Sequence, residues 1–245
     1  MIRIAVRNIP QICWRNAPVL GTVSGRFVGQ TPQRSQETGT HMIGAHENAR
    51  KSGIFGKLRK KFGWSKTSDS KLRICSYLLY ESIVDKLNYL EFFRRFDLPD
   101  TFNSWFLVTE LHVWMVLVRA MGEGAEKGEN GRFLRNSIVE AMWSDVNMRA
   151  RKLDPRNPAG AKKQIGALAE QFQAALINYD EGLMGDDKVL AGALWRRFFE
   201  KECPSFEMLE ALVKYVRENV RELDSLSHDD FVQKQRIQWQ NVAKE

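Results

Sequence analysis

Cysteine is scarce in this chain: Cys13, Cys75 and Cys203 are its three, far apart and odd in number. That spacing provides neither a disulfide scaffold nor a metal cluster, and with Cys13 in an N-terminal segment the other two read as free buried thiols. Histidine is scarce as well. His41, His46, His112 and His228 show no H-x3-H, H-E-x-x-H or mixed Cys/His ligand spacing, so nothing points to zinc. No G-x-S-x-G or cysteine-nucleophile setting is present, which removes the familiar acyl-transfer chemistries. Long apolar runs are also missing. The most apolar stretch, Trp105 to Val118, is 14 residues long and interrupted by Glu110 and His112, short of the ~20 residues that span a bilayer. It reads as a buried helix.

Residues 1–36 contain no acid and no lysine, while Arg3, Arg7, Arg15, Arg26 and Arg34 punctuate them and Ile2, Ile4, Val6 and Ile9 supply an apolar side. An arginine-bearing, acid-poor amphipathic start is the composition of a mitochondrial presequence. Residues 37–67 read as a linker, opened by Gly39, Gly44 and Gly53. Within it Ile54, Phe55, Leu58 and Phe62 share one helical face, with Lys57, Arg59, Lys60 and Lys61 around it. That arrangement suits an anionic membrane surface; a solvated linker is the competing reading, because Gly56 and Gly63 weaken a helix.

Charge is unevenly placed. Residues 1–61 hold eleven of the 37 Lys+Arg but only two of the 30 acids, a net of +9, which leaves the rest of the chain at −2 within a total of +7. The body is therefore not a basic nucleic-acid platform on net charge. With 43 % apolar and 27 % charged residues the chain can bury a proper core.

From residue 68 onward apolar positions recur every three or four residues, which predicts an all-α domain over 68–245, with seven or eight helices in a bundle or orthogonal array. A first stretch runs from about Ser70 to Arg95, with a break near Asp85; Leu98-Pro99-Asp100 ends it, and Asp100 is placed to cap the next helix, Thr101 to Met121. Apolar residues lie nearly all round that helix, so it should be central. Gly122 to Gly131 holds four glycines and reads as a loop; Glu123, Glu126 and Glu129 within it would repel phosphate. Further helices are expected over Phe133–Lys152, around Ile165–Tyr179 up to Gly182 and Gly185, over Val189–Lys201 started by Asp186 or Asp187, and along Phe206–Leu223. Ser227-His228-Asp229-Asp230 looks like the cap of a last polar helix reaching Val242.

The Asp186-Asp187 and Asp229-Asp230 pairs lack a further carboxylate one turn on, as magnesium-binding aspartate motifs would require, and sit where helices start; capping is the better reading. His112 is the one histidine of the expected core and reads as a hydrogen-bonded core or groove residue, without a paired nucleophile or acid. Seven Trp and fourteen Phe stand out. Trp105, Trp114 and Trp143, with the block Trp195-Arg196-Arg197-Phe198-Phe199, have two readings: core packing, or an apolar groove edged with arginine that binds protein. The sequence does not separate them, although Trp114 favours the core.

Phe102-Asn103-Ser104-Trp105-Phe106, then Leu111-His112-Val113-Trp114-Met115 and Arg119, resemble the ubiquinol–cytochrome c chaperone family. So do Asn178-Tyr179-Asp180-Glu181-Gly182-Leu183, Asp187, Leu190, Ala191, Ala193-Leu194-Trp195-Arg196 and Phe198, so that residues about 71–200 carry the likeness. The resemblance implies a mitochondrial assembly factor for respiratory complex III: a chaperone, not an enzyme, without cofactor. It implies attachment to the matrix side of the inner membrane as a peripheral protein. The partners it implies are newly made cytochrome b, a small complex III assembly protein and the mitochondrial ribosome nearby, with no direct nucleic-acid binding. Trp105, His112, Trp114, Arg119, Tyr179, Asp187, Trp195 and Arg196 are the candidate partner- and client-binding residues, in a helix-in-groove mode. Two alternatives remain: a ribosome- or RNA-associated translation factor, which needs a basic stripe on the body, and an all-α lipid or isoprenoid enzyme, which needs an apolar pocket lined with carboxylates.

Overall fold

The computed structural model describes residues 69–123 and 129–242. The expected presequence over 1–36 and the basic segment Ile54–Phe62 lie outside them. The described residues form seven α-helices and one π-helical turn, without a strand: α1 Asp69–Lys86, α2 Tyr89–Arg95, α3 Phe102–Met121, α4 Glu129–Leu153, α5 Pro158–Met184, α6 Asp187–Arg197, α7 Phe206–Ser225 and the turn Asp229–Gln233. The all-α expectation holds.

Helix starts follow local chemistry. Thr101, Asn157, Asp186 and Ser205 each accept a hydrogen bond from a backbone N–H of the first turn they precede, and each such cap is worth about 1 kcal/mol. Pro158 occupies the first turn of α5, where its missing N–H costs nothing. The cap of α3 is therefore Thr101 rather than the expected Asp100. The reversal before α3 comes one step earlier, at Asp97, whose φ of 51° lies in the left-handed region that Asp tolerates better than most residues.

Three other expectations are corrected. The glycine-rich loop ends sooner, since α4 already begins at Glu129. Gly131 belongs to that helix because its bare Cα lets α4 approach the end of α3: a Cβ there would stand 2.7 Å from the Ala120 carbonyl oxygen. Gly182 likewise lies inside α5 rather than ending it. A Cβ at Gly182 would meet the Leu190 Cα at 2.9 Å, so the glycine allows the intimate contact of α5 with α6. Finally, the last polar helix does not form. Beyond the π-helical turn the chain runs without regular structure to Val242. The reason is spacing: Ile237 and Trp239 are two residues apart, which puts them on one side of an extended chain but on opposite sides of a helix. Ile237 is fully buried, and the Trp239 ring packs on His112.

Helix α3 is the axis of the bundle. It packs against α1, α2, α4, α5 and α7, and Phe106, Val108, Leu111, Val113, Met115 and Val116 are entirely without exposed surface. Each large apolar side chain so buried contributes about 1.5–3 kcal/mol relative to exposure. By length and composition α3 is apolar enough to cross a membrane, but 83 % of its most apolar stretch is buried inside the protein. It is a core helix, as its all-round apolar surface implies.

Candidate interaction surface

A buried helix with polar side chains must find partners for them. Helix α3 does so at Thr109, whose hydroxyl meets the Tyr89 hydroxyl of α2 at 3.0 Å, and at three further positions, each two residues from the next and each with its partner on a different helix. The Glu110 carboxylate accepts two hydrogen bonds from the Arg197 guanidinium of α6, at 2.8 and 2.7 Å. His112 Nδ1 donates to the Val108 carbonyl at 2.7 Å, which leaves Nε2 to accept from the Tyr215 hydroxyl of α7 at 2.8 Å. Trp114 Nε1 donates to Asp180 of α5 at 2.8 Å. Positions 110 and 114 share one side of the helix and 112 the other, so these bonds fasten α5 and α6 to one side of α3 and α7 to the opposite side.

Burial governs the ionisation of these groups. Desolvation pushes the Glu110 carboxyl upward, against the hydrogen bonds and charge of Arg197, which pull it back. It pushes His112 down to about 3, so the imidazole is neutral, consistent with its accepting a hydrogen bond at Nε2. Desolvation also raises Asp180, while the Trp114 hydrogen bond holds it back.

The eight candidate binding residues divide by exposure. Trp105, His112, Trp114 and Tyr179 are buried. Trp105 stacks on Phe102 and lies under the Arg149 guanidinium at 4.6 Å. Tyr179 packs against Trp114, and its hydroxyl is buried without a hydrogen-bond partner. Arg119 is almost buried, paired with Glu123 at 2.6 Å, bonded to the Leu226 carbonyl and seated over the Phe231 ring. These five do not line one open groove here; they tie α3 to its neighbours. Asp187, Trp195 and Arg196 are at the surface, and all three belong to α6.

Lys188, Val189, Gly192, Trp195 and Arg196 recur at the three- and four-residue spacing of a single helical face. Val189 and Trp195 are 40 % and 39 % exposed, large apolar groups that face water with Lys188 and Arg196 beside them. Exposed aromatics beside arginine are the composition enriched in protein-binding surfaces. The strip is held rigidly from below. Arg197 fixes α6 to α3, Gly182 admits Leu190 to α5, and Arg217 of α7 bonds Asp187 at 3.0 Å together with the Leu183 and Gly185 carbonyls at the end of α5. Sequence reasoning found Trp195 and Arg196 but passed over Lys188 and Val189, although their spacing from Trp195 was the available signal. It also treated Glu110 only as an interruption, when a carboxylate amid an apolar helix calls for a buried cation.

Of the aspartate pairs only the first caps as expected; at the second the cap is not made, and Ser227 rather than either aspartate accepts the Asp230 N–H. Asp186 caps α6 through the N–H groups of Lys188 and Val189, Asp187 pairs with Arg217, and Asp229 pairs with Lys234.

The family model described as ubiquinol-cytochrome C chaperone matches residues 94–239. The chain is 57 % identical over 196 residues to ubiquinol-cytochrome c reductase complex assembly factor 1 of Drosophila melanogaster, covering 80 % of this chain and 76 % of that one. It is 41 % identical to the protein of that name in Homo sapiens, covering 79 % of this chain and 64 % of the human one. Protein CBP3, mitochondrial, of Saccharomyces cerevisiae is 30 % identical, over 57 % of this chain and 42 % of its own length. The crystal structure of the Cbp3 homolog from Brucella abortus superposes with a TM-score of 0.58 at 25 % identity, covering 77 % of this chain and 97 % of the bacterial one. The likeness thus reaches past the residues 71–200 that carried it in the sequence, through α7 to Trp239.

Proposed function

Since the chain belongs to the ubiquinol–cytochrome c chaperone family, a family of complex III assembly factors, we propose that it is a mitochondrial chaperone that holds newly made cytochrome b, together with a small assembly partner, on the matrix side of the inner membrane. In this reading residues 1–36 are the presequence, 37–67 the linker whose segment Ile54–Phe62 rests on the membrane surface, and 68–245 the chaperone domain. No catalytic step is assigned to it.

One observation carries the choice of surface. The outward face of α6 presents Val189 and Trp195 to water, with Lys188 and Arg196 at their edge, on a helix braced from beneath by Arg197, Leu190 and Asp187. A rigid apolar strip of this kind suits an apolar helix of a client or partner, because its shape costs no ordering on binding. Asp187, Trp195 and Arg196 are the residues of the original candidate set that a partner can reach. Trp114 and Tyr179 pack behind that surface where α3 meets α5, while Trp105, His112 and Arg119 fasten other sides of α3.

The test is recovery of the tagged protein from mitochondria after labelling newly made mitochondrial translation products. Enrichment of cytochrome b with a small non-ribosomal protein supports the reading. Its loss on Trp195→Asp with Arg196→Glu, in a protein that unfolds at the same temperature, assigns the contact to α6.

A second reading has its own observation. The tip between α4 and α5 exposes Arg151, Lys152, Arg156, Lys162 and Lys163 with Asp154 as the one acid among them. Such a basic tip suits ribosomal RNA, and supports a translation factor. Recovery of ribosomal RNA with an unselective range of translation products would favour it.

A further inference from the structure

The end of the described chain lies in a cleft as a ligand would. Its floor is an aromatic cluster drawn from three helices: Phe92 of α2, His112 of α3 and Tyr215 of α7 meet edge to face, with ring centroids 5.1 to 5.6 Å apart. Into this seat comes Trp239, its ring perpendicular to His112 at 4.6 Å, while Ile237 is buried completely beside it. The segment forms no strand or helix: the Arg236 N–H donates to the Asp230 carbonyl at 2.8 Å where it begins, and side chains hold the rest of its backbone. Lys86 of α1 donates to the carbonyl oxygens of Gln235 and Ile237, at 3.2 and 2.9 Å, and Asn219 of α7 accepts from the Gln240 N–H at 3.0 Å. Gln238 and Gln240 face water.

We infer that this cleft is a peptide-binding site for an extended segment with an aliphatic and an aromatic side chain at alternate positions, and that residues 236–240, which follow the left-handed turn at Gln235 (φ 47°), occupy it as a tethered stand-in. The recognition elements are those of extended-peptide binding: main-chain groups taken at alternate residues, and separate seats for side chains two apart. The stand-in fits imperfectly. Trp239 Nε1 is buried with no hydrogen-bond partner, and an orphaned buried donor works against the burial of the ring that carries it. Its hold therefore depends on the tether, which gives it an effective concentration on the order of mM for a short link. The occupant is an aliphatic-x-aromatic segment of a protein partner. This site is separate from the outward face of α6 and stands or falls without it.

The experiment uses the full chain and a fluorescein-labelled synthetic peptide with the sequence of residues 232–242. In the double variant Ile237→Ala, Trp239→Ala, which empties both seats, the peptide binds at least ten-fold tighter than to the unaltered chain. Adding Lys86→Ala removes that gain, and a peptide with Asp in place of Ile237 does not bind. Equal binding by both chains, or undiminished binding of the Asp peptide, overturns the inference. If circular dichroism shows that the double variant does not fold, hydrogen exchange of the unaltered chain decides. Amides of residues 237–241 exchange at least ten-fold faster than those of α3 and α7 if the segment leaves the cleft; equal protection overturns the proposal. A dimer of the unaltered chain that dissociates when peptide is added would seat a second copy's tail there and overturn the choice of occupant.

Discussion

Glu110 and Arg197, 87 residues apart in the chain, close a two-pronged ion pair inside the bundle, with no exposed surface on the carboxylate side chain and 11 % on that of the arginine. This bond joins the central helix to the helix whose outer face is the candidate interaction surface. The exposed strip on α6 is thus positioned by a charge that the apolar core would otherwise reject.

The first prediction concerns that pair. Arg197→Met leaves a buried carboxylate without its cation and should cost about 3–5 kcal/mol, whereas replacing both members by apolar residues of similar size should cost far less. Urea unfolding followed by circular dichroism measures both. Equal losses in the single and double variants would mean that the pair is not what holds α6.

His112 sets a pH dependence. Its folded value of about 3 lies below the ordinary 6.5, so between those values the unfolded chain binds the extra proton. Stability attributable to this residue is complete above 6.5 and falls as the pH drops toward 3, by at most about 1.4 kcal/mol per pH unit. In His112→Gln, which cannot titrate, the acid-side slope of unfolding free energy should be shallower by that amount. An unchanged slope would contradict the burial of a neutral imidazole.

Glycine predictions run in opposite directions on one helix. Gly166 of α5 has open space where a Cβ would stand, so Gly166→Ala should stabilise by about 0.5–1 kcal/mol through the unfolded chain's lost freedom. Gly182→Ala must push Leu190 away and should destabilise by about 1–3 kcal/mol. Thermal unfolding of the two variants, side by side, checks the sign of each.

Much of this arrangement was legible in the sequence. Helices α5 and α7 carry apolar stripes on one face, and Asp186 or Asp187 before α6 marks its start, so periodicity and capping chemistry placed them. Helix α3 was recognisable as central because its apolar residues surround it. That same property hid the roles of Trp105, His112, Trp114 and Arg119: on a helix buried all round, spacing cannot tell which side chain meets a neighbour and which could meet a partner. The partners that settle it for His112 and Trp114, Tyr215 and Asp180, lie 103 and 66 residues away, beyond any local pattern. Residues 234–242 misled for a different reason. Their composition suits a polar helix, but burial of Ile237 and Trp239 on one side of an extended chain outweighs that propensity.

The most direct test of the central claim is photo-crosslinking from position 195. The full chain carrying benzoylphenylalanine there, imported into mitochondria with labelled translation products, should crosslink to newly made cytochrome b or to a small assembly partner, while the same probe at Lys163 on the α4–α5 tip should not. Crosslinks to ribosomal components from position 163, with none to cytochrome b or a small assembly protein from 195, would contradict the account and favour a translation factor.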